Sequence, residues 1–144
     1  MIENTNNVMN IVLKIFLITN IIFCKDYLII TSDELSEAAY KISDIYSDDT
    51  KSYFLETEVI LTSEIDSPIN EFISNKIEDD QDIKYLLLIG DENNFPYLYK
   101  TLTCNGDEEY YPTDDLYSSI SVDEYPRLAT GRIPASNLSD ALNF

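Results

Sequence analysis

The chain has 144 residues, 44% of them apolar, which is enough for one domain with its own core. Its 27 acidic residues outnumber 9 basic ones, for a net charge of −18, which disfavours nucleic acids and anionic membranes as partners and suits divalent cations or basic polypeptides. With no histidine, three scattered glycines and only Cys24 and Cys104, the chain cannot supply a Cys–His dyad, a Ser–His–Asp triad, a histidine-bearing zinc site, a phosphate-cradling loop or a disulfide framework.

Residues 1–25 form an N-terminal apolar segment. Val8 to Phe23, VMNIVLKIFLITNIIF, is interrupted by Asn10, Lys14 and Asn20 and spans 16 residues, short of the about 20 that a stable membrane span needs. Read from Met9, it has the form of a secretory signal peptide: Lys14 ends a short basic region, an apolar stretch follows, and Cys24 is a small residue at a cleavage position. That reading makes the protein secreted. The alternative is an additional buried strand or helix.

From Asp26 the pattern alternates. Tyr27 to Ile30 is a short apolar run suited to a strand buried on both faces. Ser32 is placed to cap a helix whose inner face carries Leu35, Ala38, Ala39, Ile42, Ile45 and Tyr46. Tyr53 to Leu61 reads as a second strand. Ser67 and Pro68 then open another helix, as cap and first helical residue, with Ile69, Phe72, Ile73 and Ile77 inward. Tyr85 to Ile89 is the third strand. The β-α-β-α-β order predicts an α/β fold of three α/β/α layers around a mainly parallel sheet.

Beyond Pro96 the spacing predicts short strands around loops, including a hairpin turning at Asn105-Gly106 and an extended TDDLYSSISV stretch. Leu128 to Ile133 supplies a fourth sheet strand, and Ser136 or Asn137 caps a helix in LSDALNF. That last helix has barely begun at Phe144, so the fold is expected to be incomplete at its C-terminus.

Three segments in fixed order carry a family resemblance: YLLLIGDENNFP (Tyr85 to Pro96), YPTDDLY (Tyr111 to Tyr117) and YPRLATGRIPAS (Tyr125 to Ser136). Together with DYLIITSDEL (Asp26 to Leu35), they resemble the N-terminal half of the gingipain-type cysteine peptidase domain, whose architecture is caspase-like. The resemblance covers residues 26–144. It implies a secreted cysteine-type endopeptidase acting on protein or peptide substrates. In such a family the catalytic histidine and cysteine lie on later strands, so no catalytic residue is carried onto this chain. Cys104 matches no catalytic position and reads as an ordinary small residue.

Asp91 follows a strand end, and Asp114 and Asp115 lie in a loop that can meet it. Hard oxygen ligands in loops suit calcium, and the resemblance implies bound calcium; Glu92 and Asp123 are further candidates. The alternative is that Asp91 caps the turn at Gly90 and Asp114 hydrogen-bonds within its own loop. Arg132 is placed to pair with Asp91 or Asp114 as a structural partner. Two functions remain open: the noncatalytic half of a peptidase, or an acidic α/β binding module that holds calcium or a basic protein.

Overall fold

A computed structural model describes residues 25–104, 107–119 and 125–144. The apolar stretch from Val8 to Phe23 lies outside the described residues, and so does the signal-peptide reading. In chain order the elements are β1 (Tyr27–Thr31), α1 (Ser36–Tyr46), β2 (Thr57–Leu61), α2 (Ile69–Asp79), β3 (Tyr85–Ile89), β4 (Leu98–Cys104), β5 (Asp107–Thr113), β6 (Ala129–Ile133) and α3 (Leu138–Ala141). Short 3₁₀ turns cover Asp33–Leu35, Thr62–Glu64 and Asp115–Ser118.

β2, β1, β3 and β6 form one sheet in that order, every neighbouring pair parallel. Their register is level: Tyr27 lies opposite Thr57 and Tyr85, Thr31 opposite Leu61 and Ile89, and Ile89 opposite Ile133. All four carboxyl ends therefore stand in one row. The path from β1 outward to β2 and back past it to β3 puts α1 and α2 on opposite faces when both crossovers are right-handed.

The pleat sorts the side chains between those faces. Leu28, Ile30, Leu86 and Leu88 join Ile60, Ile73 and Ile77 under α2. Ile29, Leu87 and Ile89 join Leu35, Ala38, Ala39, Ala135 and Ala141 under α1 and α3. Apolar YLII and YLLLI runs are required in β1 and β3 because these strands are covered on both sides. The three-layer α/β/α expectation holds.

Four expected boundaries or caps change, and Ile45, expected on the inner face of α1, is 56% exposed. β2 begins at Thr57, not Tyr53; Tyr53 and Phe54 are exposed, and Tyr53 packs against Tyr46 at 6.1 Å while Leu55 N–H donates to the Tyr46 carbonyl. The segment before β2 thus wraps the end of α1. Pro68 is the residue before α2 rather than its first, extended at ψ 136°, with its carbonyl accepting from Phe72 N–H at 2.9 Å. Ser32 makes no side-chain cap; its carbonyl closes the 3₁₀ turn by accepting from Leu35 N–H, and α1 starts only at Ser36. The stretch around Asp115 is a 3₁₀ turn rather than a strand.

Asp26 fastens the other edge of the sheet. Its N–H donates to the Glu56 carbonyl, and its own carbonyl accepts from Lys84 and Tyr85 N–H. Its carboxylate accepts from Lys84 Nζ at 2.6 Å and from Glu56 N–H at 3.3 Å. The starts of β1, β2 and β3 are thereby joined through one residue. The hydrogen bond from Lys84 holds the Asp26 carboxyl below its ordinary 3.8, helped by Glu56 N–H and opposed by partial burial. A depressed carboxyl stabilises the fold above its unfolded pKa and ceases to do so as pH falls through the folded value. Asp26→Asn is accordingly expected to unfold at lower urea than wild type near neutral pH, with the two midpoints converging below pH 3.8. A constant gap down to the acid limit would contradict that linkage.

Candidate functional site

In this topology β1 connects toward one edge of the sheet and β3 toward the other. The carboxyl ends of these two neighbours therefore flank a switch point, where parallel α/β sheets open a crevice. The buried Thr31 hydroxyl donates to the Ile89 carbonyl at 3.0 Å and ties the two strand ends together.

The chain leaves β3 through Gly90, whose φ of 151° is rarely adopted by residues with a side chain. Gly90 N–H donates to the Ile133 carbonyl at 3.0 Å, so the glycine prolongs the ladder toward β6. A Cβ here would stand 2.7 Å from Asn94 Cβ. Asp91 then folds the loop on itself: Oδ1 accepts from Asn93 N–H at 2.9 Å and Oδ2 from Asn93 Nδ2 at 3.1 Å. Its carbonyl accepts from Phe95 N–H, and Phe95 is buried completely in the α2-side core. The tight turn and the anchored Phe95 together fix the course of the loop.

Arg132, on β6, secures that loop from the side. Nε donates to Asp114 Oδ2 at 3.0 Å, Nη2 to Asp114 Oδ1 at 2.5 Å, and Nη1 to the Phe95 carbonyl at 2.8 Å. The guanidinium carbon is 5.8 Å from the Phe95 ring centre and 5.1 Å from that of Tyr97. The Arg132 side chain is only 6% exposed and that of Asp114 23%. Tyr117 completes the cluster, donating its hydroxyl to the Pro96 carbonyl at 2.6 Å and meeting Phe95 edge-on at 6.3 Å. Burial raises the Tyr117 phenol above its usual 10.0 and keeps it a donor. Of the two acids expected to meet Arg132, Asp114 is the partner.

Beyond β3 and β6 lies an open cleft of about 500 Å³, lined by Asp91, Pro134, Ser136, Asp140, Asn143 and Phe144. Of the two expected caps, Ser136 and Asn137, it is Asn137 that caps α3, accepting from Asp140 N–H at 3.0 Å and donating through Nδ2 to Asp140 Oδ2 at 2.6 Å. Sequence reading found the cap but not the cleft. The signal available was the cap's position just after a strand end, but only the level register places it beside Asp91.

Asp91, Asp114 and Asp115, the acids expected near this edge, each have partners within the protein. Asp91 is engaged with Asn93, Asp114 with Arg132, and Asp115 begins the 3₁₀ turn, its carbonyl accepting from the Ser118 and Ser119 hydroxyls. Glu92 is exposed on the loop, and Asp123 lies outside the described residues. Among the described residues no group of three or more His, Cys, Asp or Glu is placed to hold a metal ion. Cys104 ends β4 opposite Asp107, in the two-stranded sheet and not at the carboxyl edge of the parallel one. Among the described residues the edge therefore offers carboxylate, amide and hydroxyl groups and a fixed loop, but no thiol or imidazole.

Two outcomes test this geometry. Gly90→Ala is expected to cost about 1–3 kcal/mol in urea unfolding, through backbone strain and the displaced Asn94. Arg132→Met leaves Asp114 and the Phe95 carbonyl without their donor and is expected to cost about 3 kcal/mol. Arg132→Lys should recover only part of that, because an ammonium cannot reproduce the planar fork. Full recovery by lysine in the same unfolding measurement would show that charge alone matters.

The family model described as peptidase family C25 matches residues 24–144. Among solved structures, the chain is similar to the Arg-specific cysteine proteinase gingipain R, with a TM-score of 0.55 and 22% identity over 81% of this chain. The match takes in 26% of that proteinase, so the chain spans about a quarter of its length. At that identity the likeness shows a shared fold. Among curated proteins there is no match. Among the described residues, no helix is long and apolar enough to cross a membrane. A family match over residues 24–144, on a parallel sheet whose strand ends are built as described, establishes that this chain belongs to peptidase family C25.

Proposed function

We propose that the chain is the N-terminal, noncatalytic portion of a gingipain-like cysteine endopeptidase, secreted and acting on protein substrates. One observation carries the reading: the carboxyl edge of a C25 sheet is built here with a fixed loop and a cleft, yet the chain has no histidine, and Cys104, the cysteine among the described residues, ends β4 in the separate two-stranded sheet.

The chemistry of a cysteine peptidase divides accordingly. A thiolate sulfur adds to the peptide carbonyl carbon, the C–N bond breaks, and the amine leaves with a proton from the imidazolium; water then hydrolyses the thioester. Thiol and imidazole would both come from residues beyond these 144. The present residues supply positioning. Gly90 and Asp91 set the β3 loop, Arg132 and Asp114 hold it against β6, and Ser136, Asp140 and Asn143 border the cleft. Holding loops against a rigid sheet limits how far a bound peptide can stray from the reacting groups.

The 144-residue chain alone is expected to show no thiol-dependent hydrolysis of a denatured protein substrate, and Cys104→Ala is expected to change nothing. Reading the transcript past the codon for Phe144 completes the test. A continuing frame with a His-Gly strand and a later strand-end cysteine, active when expressed with this portion, would support the proposal. Hydrolysis by the chain alone that disappears with Cys104→Ala would overturn it. So would a stop codon directly after Phe144, which would leave an acidic binding module.

A further inference from the structure

The β4–β5 ribbon stands apart from the parallel sheet as its own two-stranded unit. Leu98 packs against the core at its base, whereas Tyr99, Leu102, Tyr110 and Tyr111 are exposed along it. The antiparallel register assigns faces: Tyr99 lies opposite Pro112, Thr101 opposite Tyr110, and Thr103 opposite Glu108. One face therefore presents Tyr99, Pro112, Tyr110 and Glu108 side by side, with Tyr99 56% and Tyr110 67% exposed. Tyr110 OH donates to Glu108 Oε2 at 3.4 Å, which sets the carboxylate beside the ring's edge and leaves the ring largely exposed.

We propose that this face of the ribbon is a docking surface for an extended, arginine-bearing segment of a partner protein. Two observations fix that chemistry. The first is charge complementarity: between Leu98 and Thr113 the described ribbon carries Asp107, Glu108 and Glu109 against Lys100 as its sole base, on a chain of net charge −18. The second is that the same combination already holds an arginine within this molecule. Arg132 lies over Tyr97, at the foot of the ribbon, while its fork is taken by the Asp114 carboxylate just past the ribbon's other strand. On the exposed face Tyr99 and Tyr110 supply ring surfaces and Glu108 the carboxylate, with no arginine of this chain opposite them in the strand register. Guanidinium is weakly hydrated, stacks on aromatic rings and pairs with carboxylates in a plane, so it gains from both groups at once, whereas ammonium gains mainly from the charge. This surface is separate from the cleft at the sheet's carboxyl edge and needs no catalysis.

The probe is a fluorescein-labelled peptide of alternating arginine and serine, titrated with the intact 144-residue chain and followed by anisotropy. A lysine–serine peptide of equal length serves as comparison. Tyr110→Ser and Glu108→Gln are each expected to weaken arginine-peptide binding at least about fivefold, in line with loss of about 1 kcal/mol from one cation–π or paired charge. Asp44→Asn, on the exposed side of α1, is expected to leave binding unchanged, and circular dichroism confirms that each variant is folded. Absence of binding would overturn the proposal, as would equal affinity for the lysine peptide or an equal loss with Asp44→Asn. Either of the last two results would reduce the effect to nonspecific attraction by an acidic protein. Peptidase activity does not enter the readout, so failure of the functional reading above leaves this test intact.

Discussion

The guanidinium of Arg132 is the constraint on which the functional edge depends. It stands at the point where the loop after β3, the stretch after β5 and strand β6 converge, and it bonds to each neighbour by a different nitrogen: Asp114 through Nε and Nη2, the Phe95 carbonyl through Nη1. Taking both charges out of water is costly, and such a pair offsets that cost only when its geometry is good and its remaining donors are satisfied. Here each of the three guanidinium nitrogens has an acceptor, and the Phe95 and Tyr97 rings lie 5.8 and 5.1 Å from the guanidinium carbon. An apolar side chain could fill that volume but would not select this one arrangement of three segments.

The clamp has something rigid to work against. β1 and β3 are paired on both sides and covered on both faces, and their ends are level and tied by the Thr31 hydroxyl. Asp26 performs the corresponding task at the opposite edge, joining the starts of three strands. Between these fastenings the core is aliphatic, while the acids lie mainly on helices, turns and the ribbon. The fold thus separates an ordinary α/β interior from a strongly anionic exterior, and that exterior is where partners would be chosen.

Membership of family C25 and the absence of histidine pull in different directions, and the structure shows how both hold. Loops at the carboxyl edge depend on backbone geometry, a buried phenylalanine and one ion pair, none of which requires the reacting groups to be nearby.

Much of this was legible in the amino-acid order. Continuous apolar runs such as YLLLI are tolerated only in strands covered on both faces, and the inward spacing of Ile73 and Ile77 marks α2, so the α/β layering followed from local periodicity. A cap at Ser136 or Asn137, and Arg132 as a structural partner of an acid, were legible for the same kind of reason: their chemistry has few alternatives. Where β2 begins was not, because Tyr53 and Phe54 have strand-forming side chains that instead lie exposed over the end of α1. Nor could local order choose between Asp91 and Asp114 as the partner of Arg132, or reveal that Asp91 turns back on Asn93 and that Ser136 and Asp140 share a cleft with Asp91. The sequence by itself determined that β1, β3 and α2 form and that these 144 residues hold no histidine, since both depend on residue identity and nearest neighbours. Which acid meets the arginine, and what faces the cleft, was decided only in the tertiary structure, because those contacts arise when a level parallel register brings distant strand ends together.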